Sequence, residues 1–192
     1  MRQSETAVFS CCAGGLMGLP LVVSEYRERK ILKRFKVTPI SPVVLLMVEF
    51  LIYVIYSAVS LATVIPVAML FWKVEIHGSW IAFVGSWLLT MISTLSIGMM
   101  VGGIAKNAKT ASVIACVLYF PMLIFSGTTL PFEVMPETMK KTVRLFPMTQ
   151  GIQLMKAAFL GVPLQNVWLP VLVMLSITVV CFSVAVKYFK WE

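Results

Sequence analysis

Aspartate is absent from this chain of 192 residues, and histidine occurs once. The residue pairs that carry hydrolytic chemistry therefore have little to be built from, and no HExxH pair, Cys/His dyad or paired carboxylates can be found. His77 falls in a short polar stretch with Glu75, where a solvated side chain is the ordinary reading. Cysteine is sparse too. Cys11, Cys12, Cys116 and Cys181 all lie in apolar runs, without metal-ligand or redox spacing, and read as small buried hydrophobes, so no metal site is expected. Charge is the third shortage: Asp, Glu, Lys and Arg make up 12% of the chain, against about one quarter in soluble domains.

Apolar residues make up 59% of the chain, and the mean hydropathy is +0.93. This balance predicts an all-α integral membrane protein, one transmembrane domain over residues 1–192 with no separate catalytic lobe. Five apolar runs are long enough, or nearly so, to cross: about Ala7–Val23, Val43–Trp72, Trp80–Ala105, Thr110–Leu130 and Val167–Val186. The second is over-long and must tilt, kink at Pro66 or begin as an interfacial helix. The net charge of +8 does not point to nucleic acid, because the bases cluster at the ends of apolar runs. By the positive-inside rule, the stretches with Arg27 to Lys36, with Lys106 and Lys109, and with Lys187 and Lys190 face the cytoplasm. The N-terminus is then external, which leads us to expect an upstream sixth span; a natural five-span chain is the alternative.

Between the fourth and last runs, Met139, Val143 and Phe146, then Ile152, Met155 and Phe159, recur at helical spacing. Two short external helices over about 137–160, broken at Pro147, are expected, either dipping into the outer leaflet or capping the bundle. In the fourth run Pro121 is expected to interrupt the helix, and Ser126–Pro131 to unwind its outer end as a candidate gate or a simple terminus. Gly98 and Gly102 make a GxxxG step, and Gly14 and Gly18 repeat the spacing, for close helix packing. Glu49 is an acid inside an apolar run; it snorkels, lines a polar cavity or pairs with a base. The stretch GIAKNAKT, 103–110, misses the phosphate-binding pattern at Ala108 and follows a membrane helix where a strand is required, so this chain is not expected to hydrolyse ATP.

The densest charge lies in SEYRERKILKRFKVTPISP, 24–42. Residues 24–36 predict a helix with Ser24 as cap, Glu25 and Glu28 in the first turn and bases towards its end. Tyr26, Ile31, Leu32 and Phe35 give it apolar contacts for docking on a protein, with lipid headgroups as the alternative partner.

The order of an apolar span, EYRERKILKRFKVTPISP, three spans ending in FSGTTLPFEVMPETMKKTVRLFPMTQGIQLMKAAFLG and a last span resembles the permease subunit of type 2 ABC exporters, over essentially the whole chain. The most specific matches are the Glu/Arg-rich segment followed by Thr38-Pro39-Ile40-Ser41, and the series Ser126-Gly127, Pro131, Pro136, Pro147. The resemblance implies that 24–36 is a coupling helix whose Glu25, Arg27, Glu28, Arg29, Lys30, Lys33 and Arg34 contact a separate ATP-binding subunit, which holds ATP and Mg. It implies an external re-entrant element with Ser126, Gly127, Pro131, Pro136 and Pro147, and a second permease chain, identical or different, within the membrane lipid. The expected function is efflux of a hydrophobic or amphipathic compound, such as a drug, antibiotic or lipid-like molecule, across the cell membrane. Two departures stand out: the family's first span is missing, and Lys30-Ile31-Leu32 replaces the Gly-Thr-Leu of many members. The alternatives are a non-transporting immunity or assembly protein and a proton-coupled carrier using Glu49.

Overall fold

The computed structural model describes residues 13–29, 42–72, 78–126, 143, 146–161 and 168–188, and among these there is no strand. A π-helical turn, Gly14–Gly18, runs without a break into α1, Leu19–Glu28. The remaining helices are α2 (Pro42–Trp72), α3 (Trp80–Ile104), α4 (Ala108–Ile124), α5 (Pro147–Leu160) and α6 (Trp168–Tyr188).

Three of these helices, α2, α3 and α6, are long and apolar enough to cross a membrane. At 1.5 Å per residue they reach about 46, 37 and 31 Å, against a hydrocarbon core of about 30 Å. The 31-residue α2 carries Pro66 inside it and is continuous through that residue, longer than a direct crossing needs. With 17 residues, α4 is shorter than the expected fourth span. It starts at Ala108 because Asn107 caps it, its Oδ1 accepting from the Thr110 amide at 2.8 Å and the Thr110 hydroxyl at 2.6 Å. Pro121 does not interrupt it as expected: the helix continues to Ile124 and closes with a Phe125 amide bond to the Pro121 carbonyl.

The bundle is built around α3, which packs on α6, α5, α1 and the π-helical turn. Small residues make this possible, since helices in lipid associate through close backbone approach and buried hydroxyl bonds. A Cβ on Gly98 would overlap the Gly15 carbonyl oxygen, and one on Gly102 would come within 3.1 Å of the Val23 Cβ. The GxxxG step therefore seats the π-turn and α1 within the same chain. On another face Ser93 donates to the Met174 carbonyl at 3.2 Å and lies 3.0 Å from the Thr178 hydroxyl, tying α3 to α6. Towards the other end α5 presses on α3 so closely that a Cβ on Gly151 would overlap the Thr90 side chain. Pro147 opens α5 at its first turn, where its missing N–H costs nothing, and Gly161, with φ of 67°, closes it. Thus α5 is a helix buried against α3, with Met148, Ile152 and Met155 inward. Of the expected preceding helix, 137–146, only the helical, buried Val143 and Phe146 at the cap of α5 lie among the described residues.

Candidate functional site at the charged end of the bundle

The end of α1, the start of α2 and the turn between α3 and α4 meet at one end of the bundle. Helix α1 enters this end differently from the sequence expectation. Ser24 does not cap a new helix; it is a fully buried residue in the interior of α1. The cause is the packing of Leu19, Val23 and Ser24 against the neighbouring helices, which carries one helix from the apolar core into the charged segment.

The tip has three anchored features. Glu25 pairs with Arg29 one turn on, both exposed, so the pair adds little to stability. Glu28 reaches out of α1 and its Oε2 accepts from the backbone amide of Ala108 at 3.1 Å. That amide is one of the donors left open at the N-terminus of α4, where a negative charge is favoured. Glu28 and Asn107 thus cap α4 together, and α1 is fastened to α4. Lys106 and Lys109 are exposed beside this cap. Lys187, in the last turn of α6, is at the same end, since Gly103 of α3 lies against Ala185 of α6.

The third feature is Glu49, which is only 7% exposed. Its described partner is the hydroxyl of Tyr26 on α1, rather than the base considered from sequence. That hydrogen bond, followed by burial, raises the Tyr26 phenol above its ordinary value of 10.0, so it stays protonated and donating at neutral pH. Tyr26 was assigned only an apolar contact from sequence. The sequence offers an acid two turns inside α2 and a lone tyrosine in the charged segment, but no local pattern joins them.

Of the residues expected to meet an ATP-binding subunit, Glu25, Glu28 and Arg29 lie at this tip, and Glu28 is engaged within the chain. Arg27 is in α1. Lys30, Lys33 and Arg34 lie outside the described residues, as do Gly127, Pro131 and Pro136. At the opposite end of α4, Ser126 is buried and its hydroxyl donates to the Leu123 carbonyl at 2.8 Å, closing the helix. Sequence reasoning missed a row of hydroxyl-bearing residues on α2, Tyr53, Tyr56, Ser57 and Ser60, which line a cleft of about 190 Å³. Their spacing of three and four residues inside an apolar run was the available signal.

The profile of ABC-2 family transporter proteins matches residues 6–187 of this chain. The chain is also similar to the inner membrane transport permease YhhJ of Escherichia coli K12, with 25% identity over 169 residues, covering 85% of this chain and 44% of that permease. The YhhJ permease of Shigella flexneri matches equally. Nodulation protein J of Rhizobium leguminosarum bv. viciae is 28% identical over 97 residues, half of this chain and 38% of that protein. The chain thus spans less than half the length of the curated relatives it matches. With a helical membrane bundle and a family match over nearly its whole length, the chain belongs to the ABC-2 family of transporter proteins.

Proposed function

We propose that this chain forms membrane-spanning machinery of an ATP-driven exporter in the cell membrane, working with a separate ATP-binding subunit and a second permease chain. The observation that carries this reading is the attachment of the α1 tip: one rod runs from the exposed Glu25–Arg29 pair to the π-turn seated on Gly98 and Gly102, with Glu28 fastened to α4. Such an arrangement has a use if something soluble pushes on the tip. ATP and Mg are held by the partner, and the change in that partner's shape moves α1. Because α1 is clamped to α3 and α4, those two helices move with it, and the outer end of α4 near Ser126 is where the path opens. Only contacts that differ between the partner's two nucleotide states bias this equilibrium. The cargo is a hydrophobic or amphipathic compound, since the spans offer almost no fixed charge to hold a small ion.

The test is co-purification from native membranes, with and without reversal of Arg27 and Arg29 to Glu. A tagged chain retains an ATP-binding subunit, and the double reversal releases it and abolishes nucleotide-dependent export. If no such subunit is ever retained and the reversal leaves export unchanged, the exporter reading fails. Accessibility labelling of Lys33 supplies a second check: modification from outside the cell would put the lever on the wrong side.

A further inference from the structure

We propose that the cleft between the π-helical turn, α2 and α3 is a binding site for a small neutral amphiphile that enters sideways from the bilayer. The inference deepens the exporter reading above, naming a site and a chemical class for its cargo.

One wall of the cleft belongs to α2 and carries Tyr53, Tyr56, Ser57 and Ser60. Their positions, i, i+3, i+4 and i+7, place the four residues on one helix face; the Tyr53 ring closes one end with its hydroxyl turned toward Gly18, which leaves Tyr56 and Ser60 as the hydroxyls for a ligand to meet. Met91 and Leu95, one turn apart on α3 and almost wholly covered, form its apolar floor. A site with one hydrogen-bonding wall and a greasy floor takes a molecule with the same division. None of these residues carries a charge at neutral pH, so nothing in the lining offsets the desolvation of an ion, and the ligand is neutral. A cavity of about 150 Å³ is large enough for benzene; this one, about 190 Å³, accommodates a single ring with a hydroxyl or carbonyl substituent.

Two further observations mark the cleft as more than a packing gap. Tyr56 is near the middle of the 31-residue α2 and is 68% exposed. Lipid tails at that depth cannot satisfy a phenol, whereas a polar-headed ligand in the cleft can. The chain also forms a π-turn at this place, and such turns gather at functional sites. Gly14 on that turn keeps the cleft open: a Cβ there would meet only Tyr53, at 3.9 Å, so alanine is tolerated while a leucine side chain extends into the space.

The test uses the full chain in nanodiscs of phosphatidylcholine and phosphatidylglycerol, without nucleotide or partner. The probe is 4-(trifluoromethyldiazirinyl)benzyl alcohol, photolysed at rising concentration, with adducts located by mass spectrometry. Adducts on the Tyr53–Ser60 row saturate, and exceed those on the exposed Val179 and Val180 of α6 by about fivefold. Gly14→Leu removes the excess while Gly14→Ala keeps it, and Tyr56→Phe with Ser60→Ala raises the half-saturating concentration by about three- to tenfold. The proposal is overturned if cleft adducts rise linearly at the density seen on α6 or persist unchanged in Gly14→Leu. It is equally overturned if the cleft takes no label, as when a chain segment or second copy fills it. Loss of ATPase co-purification would sink the exporter reading and leave this binding untouched, whereas absent cleft adducts beside intact export would sink the cleft alone.

Discussion

Helices α2 and α3 stand next to each other in the chain and have opposite fates. The more hydropathic α2 buries 11% of its most apolar stretch, while the less hydropathic α3 buries 56%. In water the greasier helix would take the centre. In a bilayer, lipid tails are as apolar as Leu, so greasiness decides only which segments cross. The central position goes to the helix whose neighbours can come closest and whose hydroxyls find partners. Helix α3 has Gly98, Gly102 and Gly103 at backbone contacts, and Ser93 bonded to α6. Along most of its length α2 offers residues such as Val48, Leu51, Ile55, Val59 and Leu70 to the surroundings.

The sharpest way to break this comparison is to spoil close approach on α3 itself. Gly98→Leu drives a side chain into the Gly15 backbone, which cannot move aside as a flexible side chain would. A loss of about 3 kcal/mol or more is expected, seen as failure to recover monodisperse protein after extraction. Gly85→Leu, on the same helix but with nothing within 4 Å of its Cβ, is expected to stay within about 0.5 kcal/mol of wild type. Equal damage from both would mean that α3 is central for some reason other than close packing.

The next effect concerns the place where α2 is held. Tyr26→Phe strips the buried Glu49 of its described donor, and leaving a buried polar group unsatisfied costs about 1–3 kcal/mol. Glu49→Leu added to Tyr26→Phe is expected to recover most of that loss, since removing both partners removes the desolvation penalty. Thermal unfolding in nanodiscs, followed by tryptophan fluorescence, measures both. The pH dependence has a definite sign. Because the Tyr26 phenol is raised in the folded state, its contribution is complete below the ordinary value of 10.0 and fades as pH climbs through the raised one. Wild type is thus expected to lose stability more steeply than Tyr26→Phe above about pH 10 and in parallel with it near neutrality.

How legible this was in the sequence depended on the kind of signal. Apolar length located α2, α3 and α6 to within a residue or two, because a span must match a fixed hydrocarbon thickness. The break at Pro147 was legible for a similar reason, since a proline in the first turn leaves no helix hydrogen bond unmade. The failures were at helix ends. Ser24 has the chemistry of a cap, yet it is buried inside α1, because packing outweighed its local preference. Pro121 is a breaker by propensity, yet α4 continues for three residues beyond it. The contacts of Glu28 with Ala108 and of Tyr26 with Glu49 join residues 80 and 23 positions apart, and no local pattern carries such pairings.

The smallest expected effect separates the two helices through a single hydroxyl each. Ser93→Ala removes the bond to the Met174 carbonyl and the contact with Thr178. Interhelical hydrogen bonds in membranes contribute about 0.6 kcal/mol on average, because the separated helices also find partners. Thr63 on α2 makes its bond at 2.9 Å to the Ser60 carbonyl of its own helix, so Thr63→Ala breaks no tie between helices and is expected to shift unfolding by less than about 0.3 kcal/mol. The informative quantity is the difference. If Ser93→Ala weakens the association of α3 with α6, measured by cross-linking between the helices, while Thr63→Ala changes nothing, then partners rather than hydropathy decide the centre. If both variants are silent, the hydroxyl tie is dispensable, and the remaining packing of α6 on α3 and α5, the Gly103–Ala185 contact included, keeps it in place.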